Sequence, residues 1–247
     1  QIVDASNKNY QLCGIYDNSL AVIFAASRGD ADVCTRLCNS LLGLMCIEGY
    51  FPNELLMSSE RRTNYNGLYQ RYSAKTGRHT TQPQAYFTTV DTTSFPIVQS
   101  CGTGNSADAL YHAGDNAWVG IAFCKTILKF GKSMPENLRT NYANVAYDQF
   151  KEITDNRLCT GGGKYSGFWS QDQNKKIFTT DQCTIFSLGT LLLKIANEFN
   201  IQEIVKDGPY IEDIQAVCKT YMTQIFHDDQ VADACVPTPS KKGPNDM

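Results

Sequence analysis

The sequence predicts a mostly α-helical chain, an (α/α) toroid or part of one, built from helical hairpins and carrying a β/loop insert. Three observations support this. Tyr16-Asp17-Asn18, Gly114-Asp115-Asn116 and Thr179-Thr180-Asp181-Gln182 each place an aspartate and an amide at the head of a strongly apolar segment of helical length. Such threefold self-similarity is the mark of a repeated supersecondary unit. Each apolar segment is followed by one with a single apolar stripe, so buried and half-exposed helices alternate. Finally, 247 residues suffice for one large core.

The first apolar segment, Ser19 to Ser27, stops at Arg28-Gly29, where glycine suits a helix C-terminus. Asp30 then caps a second helix whose stripe is Val33, Leu37, Leu41 and Leu44. From about 49 to 113 the helical period is lost, with Arg61, Arg62, Arg71 and Arg78 among Tyr65, Tyr69 and Tyr72. Residues 84–90 have β character. We read this insert as short strands and loops lying over the face where the three apolar helices begin. Gly102-Thr-Gly-Asn-Ser106 lacks dinucleotide-loop spacing and reads as a turn. The second apolar helix ends at Gly131, and Ser133-Met-Pro-Glu136 reads as a capping box. The helix it opens carries Leu138, Tyr142, Val145, Gln149 and Ile153 on one face, as an outer helix would. Gly161-Gly162-Gly163-Lys164 does not match a nucleotide loop. After the third apolar helix, Gly208-Pro209 introduces a stripe of Ile211, Ile214, Val217, Tyr221 and Ile225. Residues 1–235 are thus expected to form one domain, and 236–247 a linker or tail.

A net charge of −3 gives no electrostatic case for nucleic acid. No apolar run approaches the roughly 18 residues of a membrane span. Ten cysteines, an even number, favour an oxidising, secreted or extracellular setting with most of them paired. Cys34 and Cys38 stand one helical turn apart, so they are expected to bond to different partners. With no Cys-x-x-Cys, no His-Glu-x-x-His and three scattered histidines, no metal or cofactor is expected.

Alternating helix direction puts the starts of all three apolar helices on one face, so Asp17, Asp115 and Asp181 are expected around one mouth. Asn18, Asn116 and Gln182 follow them, and Tyr16, Tyr111, Trp118, Phe168 and Trp169 stand in or beside the same loops. Aromatic faces with carboxylates and amides suit a sugar ring, which offers apolar C–H faces and many hydroxyls. The aspartates are candidate catalytic groups, Asp115 with Asp181 as the preferred pair. The amides and aromatics are candidate substrate contacts. Each aspartate could equally be a helix cap, worth about 0.5–2 kcal/mol.

Tyr16-Asp-Asn-Ser-Leu-Ala-Val-Ile, Gly114-Asp-Asn-Ala-Trp-Val-Gly-Ile-Ala and Gly162-Gly-Lys-Tyr-Ser-Gly-Phe-Trp followed by Thr179-Thr-Asp-Gln resemble the six-hairpin glycosidase-like toroids. The resemblance runs from about residue 14 to 226 and is most specific at Gly-Asp-Asn-Ala-Trp. It implies an (α/α) toroid acting on oligo- or polysaccharide, by hydrolysis or lysis. Bacterial members open a later inner helix with Glu-His where this chain has Asp181-Gln182. Only three hairpins are visible, so a longer chain or an assembly would complete the ring. A non-catalytic glycan-binding or assembly protein on the same scaffold is the alternative.

Overall fold

The computed structural model describes residues 12–50, 65–73, 111–159, 166–170, 177–227 and 234–235. The rest of the insert, the Gly102–Ser106 run, Gly161–Gly163 and the tail lie outside the described residues.

The described residues are mostly helical. The helices among them are α1 (Ile15–Arg28), α2 (Ala31–Ile47), α3 (Ala113–Phe130), α4 (Glu136–Arg157), α5 (Thr179–Phe199), α6 (Gln202–Lys206) and α7 (Gly208–His227). Helices α1, α3 and α5 pack side by side with α3 in the middle. The helices α2, α4 and α7 lie against α1, α3 and α5 respectively, which makes three hairpins in a row.

Among the described residues, three short antiparallel strand pairs join the segments between the helices. β1 (Leu12–Gly14) pairs with β2 (Arg71–Ser73), Cys13 opposite Tyr72. β3 (Leu158–Cys159) pairs with β4 (Gly167–Phe168), and β5 (Ile177–Phe178) with β6 (Ala234–Cys235). β1 runs straight into α1 and β5 into α5, so two helix starts are anchored by paired backbone.

The α1–α2 junction follows from its sequence. Gly29 takes φ +80°, and its N–H reaches back to the carbonyls of Ala25 and Ala26. Asp30 then caps α2 by accepting the Val33 N–H at 3.1 Å. The capping box expected at Ser133–Glu136 does not form. Pro135 is the N-cap, and the Ser133 hydroxyl turns back to the Phe130 carbonyl.

Burial departs from the expected inner and outer pattern in two ways. Helix α3 is buried almost all round, but α1 and α5 stand at the two ends of the row and each leaves one face in solvent. On α1 that face carries Tyr16 (40% exposed), Leu20 and Phe24 (63%). On α5 it carries Thr180, Ser187, Thr190 and Lys194. Conversely, α4 is enclosed from Tyr142 to Phe150 rather than lying outside. Its polar residues, which read as a solvated face, take tyrosine hydroxyls from distant segments. Tyr50 donates to Asp148, Tyr65 to Gln149 and Tyr111 to Glu152, each at 2.8 Å. Arg157 completes the set with a 3.0 Å bond to Glu152 and a guanidinium 3.3 Å from the Tyr111 ring centre. A buried pair of this kind is tolerated only when hydrogen bonds satisfy both charges.

The buried face of α2 is also turned slightly from the expected stripe, onto Cys34, Cys38, Leu41 and Met45. Buried cysteine packs as a small hydrophobe, and the periodicity argument did not count it as one. The seven cysteines at 34, 38, 46, 124, 159, 183 and 218 are free thiols, so the expected pairing is not seen among them. Burial pushes the Cys38 thiol up to about 12, where it stays protonated.

Candidate functional site

The site forms where α1, α3 and α5 begin. Their N-caps are Gly14, His112 and Phe178, all extended and none with a side-chain cap bond. The aspartates are therefore the third residue inside each helix rather than its cap. There a carboxylate still gains from the helix dipole, but its oxygens are left for other partners.

The amides one residue later do the anchoring. Asn18, Asn116 and Gln182 each donate to the carbonyl four residues back, at 2.7, 3.0 and 3.5 Å. Two of them also clamp a passing backbone at both ends. Asn116 accepts the Leu68 N–H at 2.7 Å and donates to the Leu68 carbonyl at 2.8 Å. Gln182 holds Phe168 in the same way, at 3.0 Å for both bonds. A side-chain amide here imitates a β-ladder partner, which is why the repeat carries Asn or Gln. The helical repeat is thus a repeat of side-chain roles as well as of hydropathy.

Two residues bridge the helix starts. The Gln70 carbonyl accepts the Ile15 N–H at 3.0 Å, while its side chain donates to Asp115 at 2.9 Å. Ser170 accepts the Ala113 N–H at 2.9 Å through its carbonyl and the Phe178 N–H at 2.9 Å through its hydroxyl. Residues 65–73 accordingly lie across the starts of α1 and α3, with Gly67 at φ +86°. A Cβ on Gly67 would run into the Tyr111 ring, so that turn requires glycine.

At the centre is His112. Its Nδ1 lies 3.9 Å from Asp115 Oδ1 and 3.7 Å from Asp181 Oδ1, too far for hydrogen bonds. The ring stacks on Phe178 at 5.8 Å. Through the shared nitrogen the nearer oxygens of the two carboxylates are at most about 8 Å apart, below the upper limit of glycosidase pairs.

Their environments differ. Asp115 keeps 18% of its side chain exposed and is held by Gln70. Asp181 is 2% exposed, and burial raises its pKa above the usual carboxylate value. The His112 charge and the Ser170 hydroxyl pull it down, the Asp115 charge pushes it up, and the Gly114 N–H again lowers it. Gly114 itself stands where any Cβ would overlap the Asp181 carboxylate. Around this pair, Gln70 Oε1, His112 Nδ1 and Asp181 Oδ2 are buried without a hydrogen-bond partner among the described residues. Orphaned buried polar atoms are uncommon, and three of them gather around this pair.

The structure brings Asp115 and Asp181 together around His112, with no such link to Asp17 among the described residues. Asp17 is exposed, and its carboxylate folds back on Gly14 of its own helix turn. Among the aromatics, Tyr16 meets Trp118 edge-on at 5.7 Å, and both retain exposure. Phe168 is fully buried and Tyr111 is 5% exposed beneath Arg157, so neither offers a free ring face. Trp169 packs beside Cys159, Ile177 and Tyr221. The amides of Asn18, Asn116 and Gln182 are engaged as described above.

Sequence reasoning missed three members of the site. His112 had a signal in its i, i+3 spacing to Asp115 at a helix start. Gln70 and Ser170 lie in irregular segments and had none. Comparisons with protein-family models, curated proteins and solved structures each find no match to this chain. No helix among the described residues is long and apolar enough to cross a membrane.

Proposed function

We propose that the protein is a carbohydrate-active member of the (α/α)-toroid type and cleaves glycosidic bonds between Asp115 and Asp181. The row of three hairpins is then one arc of the ring, completed by further chain or by assembly. The observation that carries the reading is the unequal carboxylate pair at three orphaned polar atoms. Glycoside cleavage needs one carboxyl kept protonated and one ionised. Asp181, desolvated, takes the acid role and protonates the leaving oxygen. Asp115, partly solvated and held by Gln70, takes the base or nucleophile role. Gln70 and His112, whose Oε1 and Nδ1 atoms lie buried beside the pair, position it. Tyr16 with Trp118, both partly exposed near the starts of α1 and α3, offers aromatic surface for a sugar ring.

The depth of Asp181 favours a second reading, a non-catalytic glycan-binding or assembly protein in which the pair only shapes the floor. A panel of oligo- and polysaccharides separates the two. Hydrolysis by the wild type that is lost in both Asp115→Asn and Asp181→Asn, with binding retained, supports the enzyme. Binding without cleavage by the wild type leaves the second reading, and neither binding nor cleavage overturns both.

A further inference from the structure

Away from the acid site, α5 and α7 bring sulfur atoms together. Cys183, on the exposed face of α5, directs its thiol at the Met222 thioether of α7 across 3.2 Å. Cys218 stands one turn before Met222 on the same face of α7 and is fully buried. An exposed thiol resting on a thioether, with a second thiol beneath, is an accessible sulfur cluster at the seam of one hairpin.

The ligand types decide what such a cluster takes. Hard ions need several oxygen donors and borderline ones such as zinc three or four His, Cys or carboxylate ligands, and among the described residues no three His, Cys, Asp or Glu side chains gather as a metal site. Thiolate and thioether ligands select soft ions, copper(I) above all. Such d¹⁰ monovalent ions accept two or three ligands, which is what the seam offers. At a sulfur–metal distance of about 2.3 Å, sulfurs sharing an ion stand about 4 Å apart. The present 3.2 Å pair therefore has to open by about 0.8 Å for a three-sulfur site, or about 1.4 Å for a linear two-sulfur one, movements within reach of an unbranched methionine side chain.

We propose that Cys183 and Met222, with Cys218 beneath them, form a binding site for a soft monovalent metal ion of the copper(I) class. The Cys183 thiol releases its proton to solvent as the sulfur–metal bond forms, Met222 donates a lone pair, and the metal keeps its oxidation state. If Cys218 joins, it releases a second proton. Burial already raises both thiols, Cys218 to about 12, so uptake should strengthen as pH rises.

The test uses reduced whole protein with ¹³C-methyl-labelled methionine, titrated with silver(I) as a redox-inert probe and with copper(I) against a competing chelator. The chain has five methionines, so the methyl signals are separable. The first equivalent should move the Met222 methyl signal and leave Met45 and Met134 in place. Met222→Leu and Cys183→Ser should each weaken copper(I) binding by about tenfold or more. Cys46→Ser, at an exposed thiol elsewhere, should leave it unchanged. An unmoved Met222 signal at one equivalent would overturn the proposal. So would a Cys183→Ser titration identical to wild type, or a disulfide at Cys183 in the isolated protein.

Discussion

Gly114 stands where its own Cβ would occupy the space of the Asp181 carboxylate. The glycine on α3 and the acid on α5 are therefore one packing unit. At the second position of a helix, alanine would ordinarily be a good residue. Here Gly114→Ala should cost about 1–3 kcal/mol by overpacking and reduce any turnover by displacing Asp181. Chemical denaturation of Gly114→Ala, Asp181→Ala and the double variant checks this, because the second change should largely relieve the first. Strict additivity would show that the two side chains do not compete for space.

The buried acid should also shape the pH dependence of stability. Its folded-state pKa is raised above the ordinary 3.8 by desolvation. Protonation thus favours the folded state: the contribution is full below the unfolded-chain value and is lost as pH rises through the folded one. Asp181→Asn is neutral throughout, so its stability should fall less than that of the wild type over that window. Parallel curves from urea melts across the pH range would mean that Asp181 is not desolvated.

The amide clamps should matter for stability and the exposed acid for little. Asn116→Ala leaves the Leu68 N–H and carbonyl without their partners and should cost about 2 kcal/mol. Gln182→Ala should do the same at Phe168. Asp17→Asn should change stability by less than about 0.5 kcal/mol and leave glycan turnover intact. Thermal melts and the oligosaccharide assay measure both. A loss of turnover in Asp17→Asn would restore it to the catalytic group.

Breaking the buried pair on α4 should be costly. Arg157→Met leaves the Glu152 carboxylate buried without its cation, and we expect a loss of about 3–5 kcal/mol. Glu152→Leu combined with Arg157→Met should recover part of it, since neither charge is then stranded. A single variant that melts with the wild type would show that water reaches Glu152.

What the sequence disclosed depended on how local the cause was. The starts of α1, α3 and α5, the Gly29-Asp30 junction and the Asp-amide repeat are set by neighbours within a turn, and they were readable. Helix α4 reads as an outer helix because Asp148, Gln149 and Glu152 look solvated until Tyr50, Tyr65 and Tyr111 arrive from elsewhere in the chain. The α2 face differs from its Val and Leu stripe because Cys34 and Cys38, as free thiols, pack in the core. At the site, Asp115 and Asp181 were legible as a pair. Their inequality was not, since desolvation of Asp181 is a property of the packed molecule. The amides were legible as a repeated feature but not as backbone clamps, because Leu68 and Phe168 have no sequence mark of being held.

The tyrosine bonds to α4 close the chain over 98, 84 and 41 positions. Contacts of that span repay their loop-closure entropy only after the helices between them are in place. They are therefore expected to form late in folding and to open early in the native protein. Leu68 is held by the Asn116 side chain rather than by a helix or sheet, so its amide should exchange with solvent through a local opening. The amide of Ile121, in the middle of α3, should wait for global unfolding. Native-state hydrogen exchange would show two separate free energies for these amides. The edge of the acid site would then breathe on its own clock above a helical base that stays shut.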